Sequence, residues 1–584
     1  MSRLNVDQKT IEALFADKKA SFLIPDYQRP YAWGDDECLT LWDDIFTFAF
    51  PNDDRNEFNP DDEYFLGAVV TYRNDCQQLE VIDGQQRLTT LMLLLRAFYS
   101  RFGNMADSES KSTRARIEKC IWKTDEFGKA NLDELKIDSE VATDDDKDEF
   151  LRILRTGIVS ASDKSSYASN YRFFESQIDS FLKSYPSYFA YFPVRILSNC
   201  ILLPIEAESQ DTALRIFSTL NDRGLPLSDA DIFKAQFYKY YGPLGRKDEF
   251  IDDWKQLEAI TSQIFHPIVG TPMDDLFTRY MYYLRAREGT TNTTVDSLRR
   301  FYERDKYSYL KDDRSLTELR LLAEFWQRVT DQDTDTFSPG ALRQLYVLDH
   351  APNGMWEYLV SVYFLAKQTD GVLEDAPLCT FLDKITAFIF TYTVTNPGVN
   401  ALRAPVFAEM VNIVEGRDVT FSRWLFDEGL TRAQFENFVF TNQRAITRSL
   451  LTWRMLSYED QILPSLAEPF DIEHIYARKR YELEGGLSSE RDLDKLGNKV
   501  LLERSINIRA SDYRFDDKKR IYSGETRRGK NKNPTVNAEI MSEIITLPTF
   551  DNKALDDRDR DILDSYFAFL RSNGLIQPAR GQSA

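Results

Sequence analysis

The chain has 584 residues, of which 42% are hydrophobic and 13% aromatic, and its formal net charge is -21. That length is too great for one core and calls for two or three domains with large packed interiors. The acidity excludes a protein that coats nucleic acid over its whole surface, so any DNA-acting part must concentrate positive charge locally.

The opening MSRLNVDQKT lacks the apolar core of a signal peptide, and no run of about 18 apolar residues would span a bilayer. The expectation is a soluble cytoplasmic protein with no membrane partner. Ile11 to Phe15 and Leu39 to Phe46 read as helices, and YFLGAVVTY (Tyr64 to Tyr72) as a strand. LEVI (Leu79 to Ile82) is a second strand, followed at once by DGQQR and the helical pattern LTTLMLLLRAFYS. Residues 106–150 are polar, and the acidic run DDDKDE reads as a solvated loop or helix start. CILLPIEA (Cys200 to Ala207) returns to strand character, TALRIFSTL is helical, and NDRGLPLSDADIFK leads into a capped helix. From about 235 to 450 one amphipathic helix follows another, with aromatic residues at core spacing. A basic module begins near 465. The five cysteines (Cys38, Cys76, Cys120, Cys200 and Cys379) are dispersed without a CxxC pair, which points to a reducing compartment and no zinc knuckle.

Two regions carry chemistry. In IPDYQRPYAW, Pro25 and Pro30 stiffen a segment that holds Tyr27, Tyr31 and Trp33 beside Gln28 and Arg29. DGQQR (Asp83 to Arg87) sits between a strand and a helix. There Gly84 permits a tight turn, and the helix N-terminus with Arg87 makes an anion site. NDRG, with Asn221 and Arg223, adds another Arg-Gly turn. Taken singly, DGQQR and NDRG are also what ordinary turns look like.

Near the C-terminus, FDIEHIYARKR holds His474, one of three histidines in the chain. His474 and Asn498 are 24 positions apart, and Asn498 and Asn507 are 9 apart. A single-metal phosphodiesterase needs a neutral imidazole to take a proton from water and hard oxygen ligands for a divalent cation. Glu473 and Asn507 supply such oxygens, and Asn498 can orient the ring or brace the intervening loop. Adjacent residues on a regular strand face opposite sides, so Glu473 and His474 can share a site only at a strand end or bulge. From Lys495 to Lys532 there are 12 Lys/Arg against 5 Asp/Glu, a local balance of +7 suited to DNA phosphates. Lys518, Lys519, Arg520, Arg527 and Arg528 are the candidate phosphate-binding residues. GETRRGKN matches GxxxxGK, but Asn531 replaces the Ser/Thr that would hold Mg²⁺, so it reads as a basic loop.

The elements DIEHI, LGNKVLL and SINIRASDYRF resemble the HNH, or His-Me finger, endonucleases. The resemblance implies two strands and a helix around one metal, Mg²⁺ or Mn²⁺. It makes His474 the general base, Glu473 and Asn507 metal ligands, Asn498 the middle N and Asp471 a supporting acid. The N-terminal motifs resemble the ParB-like domain of GmrSD-type, modification-dependent (type IV) restriction systems. By that resemblance Asp83, Gln85, Gln86 and Arg87 bind a nucleoside triphosphate, GTP or ATP, with NTPase activity. Tyr27, Gln28, Arg29, Asn221 and Arg223 then line the pocket or sense DNA.

The expected fold class is α+β multidomain: a ParB-like domain over 1–235, a helical middle over 236–455 and an HNH module over 456–584. The expected activity is cleavage of modified double-stranded phage DNA, with a homodimer if both strands are cut. Two rivals are a nucleotide-switched DNA-binding regulator with an inactive nuclease module, and an interaction scaffold built on the helical middle.

Overall fold

A computed structural model of the protein describes residues 5–103, 105, 107–141, 144–210, 212, 213, 216, 228–398, 400–525 and 532–577. Asn221, Arg223, Arg527 and Arg528 lie outside them, as do most of TALRIFSTL and GETRRGKN. The chain forms two compact units, Met1–Lys255 and Gln256–Ala584.

The first unit is built on a mixed sheet. Its strands are β1 (Asn5–Val6), β2 (Lys9–Thr10), β3 (Phe22–Ile24), β4 (Tyr64–Arg73) and β5 (Leu79–Asp83). A two-stranded side sheet, β6 (Trp122–Thr124) and β7 (Ala130–Leu135), precedes β8 (Ile137–Ser139) and β9 (Cys200–Ala207). The main order is β1-β9-β4-β5-β3-β8, with β2 also on β9. The β4–β5 pair is antiparallel, whereas β4–β9 and β3–β5 are parallel. The turn after β5 feeds the Gln85–Phe102 helix, whose Leu88, Leu91, Met92, Leu95 and Phe98 are fully enclosed in the core. Gly84 at φ 92° makes that sharp strand-to-helix turn, a conformation that disfavours a side chain.

The polar stretch 106–150 holds more order than its composition suggests. It contains the Ser108–Ile121 helix and β6 to β8, because Ile117, Cys120 and Ile121 recur on one buried face. Asp144, expected in a solvated run, is buried: it accepts from Tyr167 Oη at 2.6 Å and from the backbone of Asp146 at 3.0 Å. The Lys147–Thr156 helix begins three residues after it.

The second unit is helical up to Leu456. There the chain turns into an antiparallel hairpin of β10 (Phe470–His474) and β11 (Lys499–Glu503), paired without a bulge from Phe470↔Glu503 to His474↔Lys499. The Arg504–Ala510 helix follows β11 with no connecting residue, and the Phe515–Tyr522 helix comes next. Val500 and Leu502 point into a core shared with Ile506, Ile521, Tyr522 and Leu555. The Asn552–Ser572 helix closes over the turn before β11. Gly497 donates to Asp559 there at 2.7 Å, and a Cβ on Gly497 would lie 2.4 Å from the Leu555 carbonyl. The protein is therefore α+β, and none of the described helices is long and apolar enough to cross a membrane.

Candidate functional sites

His474 is the last residue of β10, so its side chain and that of Glu473 leave opposite faces of the hairpin. On one face Glu473 is buried, and its Oε1 accepts from Lys518 Nζ at 2.6 Å and Tyr522 Oη at 2.8 Å. Burial pushes the Glu473 carboxyl above its usual range, against the pull of Lys518 and Tyr522. On the other face His474 Nε2 lies 3.1 Å from Lys499 Nζ. Burial, then the Lys499 charge, pushes the imidazole down to about 3. The ring is therefore neutral at neutral pH, the protonation state a base requires.

Asn498 is fully enclosed, and its side-chain hydrogen bonds go to the backbone and not to the ring. Its Oδ1 accepts from the Tyr476 amide at 2.8 Å, and its Nδ2 donates to the Tyr476 carbonyl at 3.2 Å and the Leu493 carbonyl at 3.3 Å. It braces the chain just past His474, one of the two roles its spacing suggests. Asp471 accepts from Arg504 Nε at 3.3 Å, three residues back along β10.

Lys518 does not face DNA. It has no exposed surface, because Glu473 and the His474 carbonyl, each 2.6 Å away, draw its ammonium inside. Lys519 is half-buried and donates to the Leu547 carbonyl at 2.9 Å, whereas Arg520 is exposed. Sequence reasoning missed Lys499, Asp494, Asn442 and Arg558. Arg558 Nη1 reaches the carbonyls of Leu496, Gly497 and Lys499 at 3.1, 2.8 and 2.8 Å, fixing the turn that delivers β11. A lysine opening the apolar run KVLLE was the available signal for Lys499.

Among the described residues, no three His, Cys, Asp or Glu side chains gather as a metal cage. The donors present are Glu473, whose Oε2 is bound by neither Lys518 nor Tyr522, and Asn507, half-buried on the Arg504–Ala510 helix. A carboxylate and an amide oxygen are donor types that a magnesium-like ion takes alongside water and phosphate. They do not match a structural zinc site, whose closed tetrahedral shell is built mainly of cysteine and histidine.

In the first unit, the glutamines and tyrosines of the two motifs point inward. Gln28 Nε2 donates to the carbonyls of Val81 and Ile82 at 3.3 and 3.1 Å. Gln85 Nε2 donates to the Arg29 carbonyl at 2.9 Å. Gln86 Oε1 accepts from the Ala32 and Trp33 amides at 2.8 and 3.3 Å, while its Nε2 donates to the Pro30 carbonyl at 3.1 Å. These side chains staple the IPDYQRPYAW segment to β5 and the following helix. Tyr27 is buried against Tyr238, 5.7 Å between ring centroids, so it presents no open face to a ligand. Its hydroxyl has lost water to burial and neighbours Glu80 at 3.5 Å.

The charged members of the motifs behave differently. Asp83, Arg87 and Arg29 are half-buried. Burial raises the Asp83 carboxyl, opposed by the Gly84 amide and then by Arg87 and Arg29. Arg87 Nη1 donates to the Ala68 carbonyl at 3.0 Å. Its guanidinium lies where a side chain on Gly67 would stand, 2.8 Å from that Cβ position. Asp231, on the Asp229–Tyr241 helix, feels both Arg29 and Lys234. Two guanidinium groups beside the N-terminus of an 18-residue helix form a donor set suited to phosphate.

The family model for the GmrSD restriction endonuclease N-terminal domain matches residues 11–238, and that for the GmrSD restriction endonucleases C-terminal domain matches residues 427–565. No curated protein matches the chain. The two matches, in order on one polypeptide, define a nuclease whose substrate is DNA. The chain belongs to the GmrSD-type restriction endonucleases, enzymes of defence against phage.

Proposed function

We propose that this restriction endonuclease hydrolyses modified double-stranded phage DNA. In this reading His474 is the base, Glu473 and Asn507 hold Mg²⁺ or Mn²⁺, and GTP or ATP bound beside Arg87 controls cutting. The observation that carries the reading is the hairpin, which presents His474 at a strand end, neutral, with the helix bearing Asn507 directly after the second strand.

His474 takes the proton of a water molecule, whose oxygen attacks phosphorus as the bond to the 3′ oxygen breaks. Asn498 holds the segment after the base in register, and exposed Arg520 offers charge to the flanking phosphates. A divalent cation at Glu473 and Asn507 would neutralise the phosphate and the departing oxygen, which calls for the Glu473 carboxylate to turn from Lys518 toward the His474 side at the end of β10. At the other end of the chain Arg87 and Arg29 would bind the nucleotide phosphates, with Asp83 setting their spacing. Residues 1–235 then sense, 236–455 transmit and 456–584 cut, the two sites being coupled by differential affinity for two conformations. Cutting both strands would call for two chains.

The test is plasmid cleavage by wild type and His474→Ala, with Mg²⁺ or Mn²⁺, on modified phage DNA and unmodified DNA, with and without GTP or ATP. Cleavage that requires His474 and metal and prefers modified DNA is the expected result. A second reading, a nucleotide-switched DNA-binding regulator with an inactive nuclease module, draws on the contact between Nε2 and Lys499. It is favoured if every substrate stays intact while nucleotide is hydrolysed.

A further inference from the structure

Lys499 stands opposite His474 on β11 and has no exposed surface. Its Nζ meets three partners: Asn442 Oδ1 at 2.5 Å, Asp494 Oδ1 at 3.0 Å and His474 Nε2 at 3.1 Å. An ammonium has three protons, and the carboxylate and amide oxygens can only accept, so the third proton falls to the ring. Burial lowers the Lys499 ammonium from its usual range, and the Asp494 carboxylate opposes that shift by pairing with it at 3.0 Å. The other Asp494 oxygen lies 3.4 Å from Arg478 Nη2. A ring nitrogen that accepts from an ammonium carries no proton, which places the imidazole proton on Nδ1. In this geometry neither ring nitrogen has a free lone pair, yet a base needs one. Asn442 is the exposed member of the group, so the cluster borders solvent on that side.

We propose that Lys499 is a positioning residue of the nuclease reaction. It holds His474 in the Nδ1–H tautomer, and it must leave Nε2 for a DNA phosphate before water can be activated. This rests on His474 being the base. A phosphate oxygen is the stronger partner for an ammonium, because both members of that hydrogen bond are charged. The exchange leaves Nε2 unprotonated, so no tautomer change is needed. Nε2 then takes a proton from water, the water oxygen bonds to phosphorus, and the phosphorus–3′ oxygen bond breaks with its electron pair going to oxygen. Lys499 therefore keeps the base in the right form and out of action until the backbone arrives.

The chain has three histidines, His266, His350 and His474, which makes the ring nitrogens tractable by NMR. The experiment uses the full chain with ¹⁵N-labelled histidine at neutral pH, without divalent metal, and assigns His474 by the signals lost in His474→Gln. The expected spectrum shows Nδ1 protonated and Nε2 bare but hydrogen-bonded. A duplex oligonucleotide should shift the Nε2 resonance toward that of a bare nitrogen with no such bond. Lys499→Met should show that shifted position before DNA is added. The wild-type titration does not depend on Lys499→Met, so a Lys499→Met chain that fails to fold does not remove the test. A protonated Nε2 in the free protein, or an Nε2 resonance that DNA leaves in place, overturns the proposal. The base reading fails separately, if His474→Gln cleaves DNA like wild type.

Discussion

Lys518 Nζ lies 2.6 Å from Glu473 Oε1, and both side chains are buried, so one ion pair joins β10 to the Phe515–Tyr522 helix beneath the hairpin. Removing one partner of such a pair strands the other charge away from water. Lys518→Met should therefore destabilise the C-terminal unit by about 3–5 kcal/mol. Replacing both, as Glu473→Leu with Lys518→Met, should recover a large part of that loss. Urea midpoints of the single and double variants check this. A single variant as stable as wild type would mean the pair is not enclosed.

The sign of the pH dependence follows from the direction in which His474 is shifted. Its folded value is about 3, against about 6.5 for a free imidazole. Above 6.5 the ring is neutral folded or unfolded, so its contribution is level. Between 6.5 and 3 only the unfolded chain takes up the proton, so stability falls with pH, approaching about 1.4 kcal/mol per unit for this group. Asp383, raised to about 6 by burial, works in the opposite sense below that pH. The difference between wild type and His474→Gln isolates the histidine. Urea midpoints from pH 8 to pH 5 should fall more steeply in wild type than in the variant.

How far the sequence could be read depended on which side of a strand or helix decided the question. CILLPIEA reads as a strand from its short apolar run, and β9 has those same ends. Ile11–Phe15 also begins and ends where its apolar spacing places it. Strand parity likewise raised the question of how Glu473 and His474 could meet, and the regular β10–β11 register sends them to opposite faces. What composition cannot give is the partner. Lys518 belongs to a basic run, and only the fold brings Glu473 to 2.6 Å from it. Gln28, Gln85 and Gln86 look like ligand-binding amides for the same reason. An amide that caps a neighbouring loop and an amide that binds a nucleotide are the same residue until the loop is placed.

That placement makes Gln86 a test of the N-terminal motif. Gln86→Leu removes an acceptor for the Ala32 and Trp33 amides and a donor to the Pro30 carbonyl. Leaving such groups unsatisfied costs about 1–3 kcal/mol, so the thermal midpoint should fall. Gln86→Glu keeps the acceptor and loses the donor, and should fall between the two. If Gln86→Leu lost nucleotide binding with an unchanged midpoint, the side chain would be a ligand group and not a staple.

Gly67 is the sharper probe of the arginine. It sits on β4 at φ 123°, where the strand register shifts, and a Cβ there would lie 2.8 Å from the Arg87 guanidinium. Gly67→Ala therefore strains the backbone and pushes Arg87 away from the Ala68 carbonyl. If Arg87 binds the nucleotide phosphates, the charge stays on the chain but loses its aim. Nucleotide affinity should then drop by about tenfold or more, the loss expected when one charge-assisted hydrogen bond goes. Arg87→Lys should fall as far, because a lysine cannot reproduce the planar fork. Titration of GTP and ATP against wild type, Gly67→Ala and Arg87→Lys reads this directly, with the thermal midpoint as control. Equal affinities in all three chains would leave Arg87 a structural residue and move the phosphate site away from the DGQQR turn.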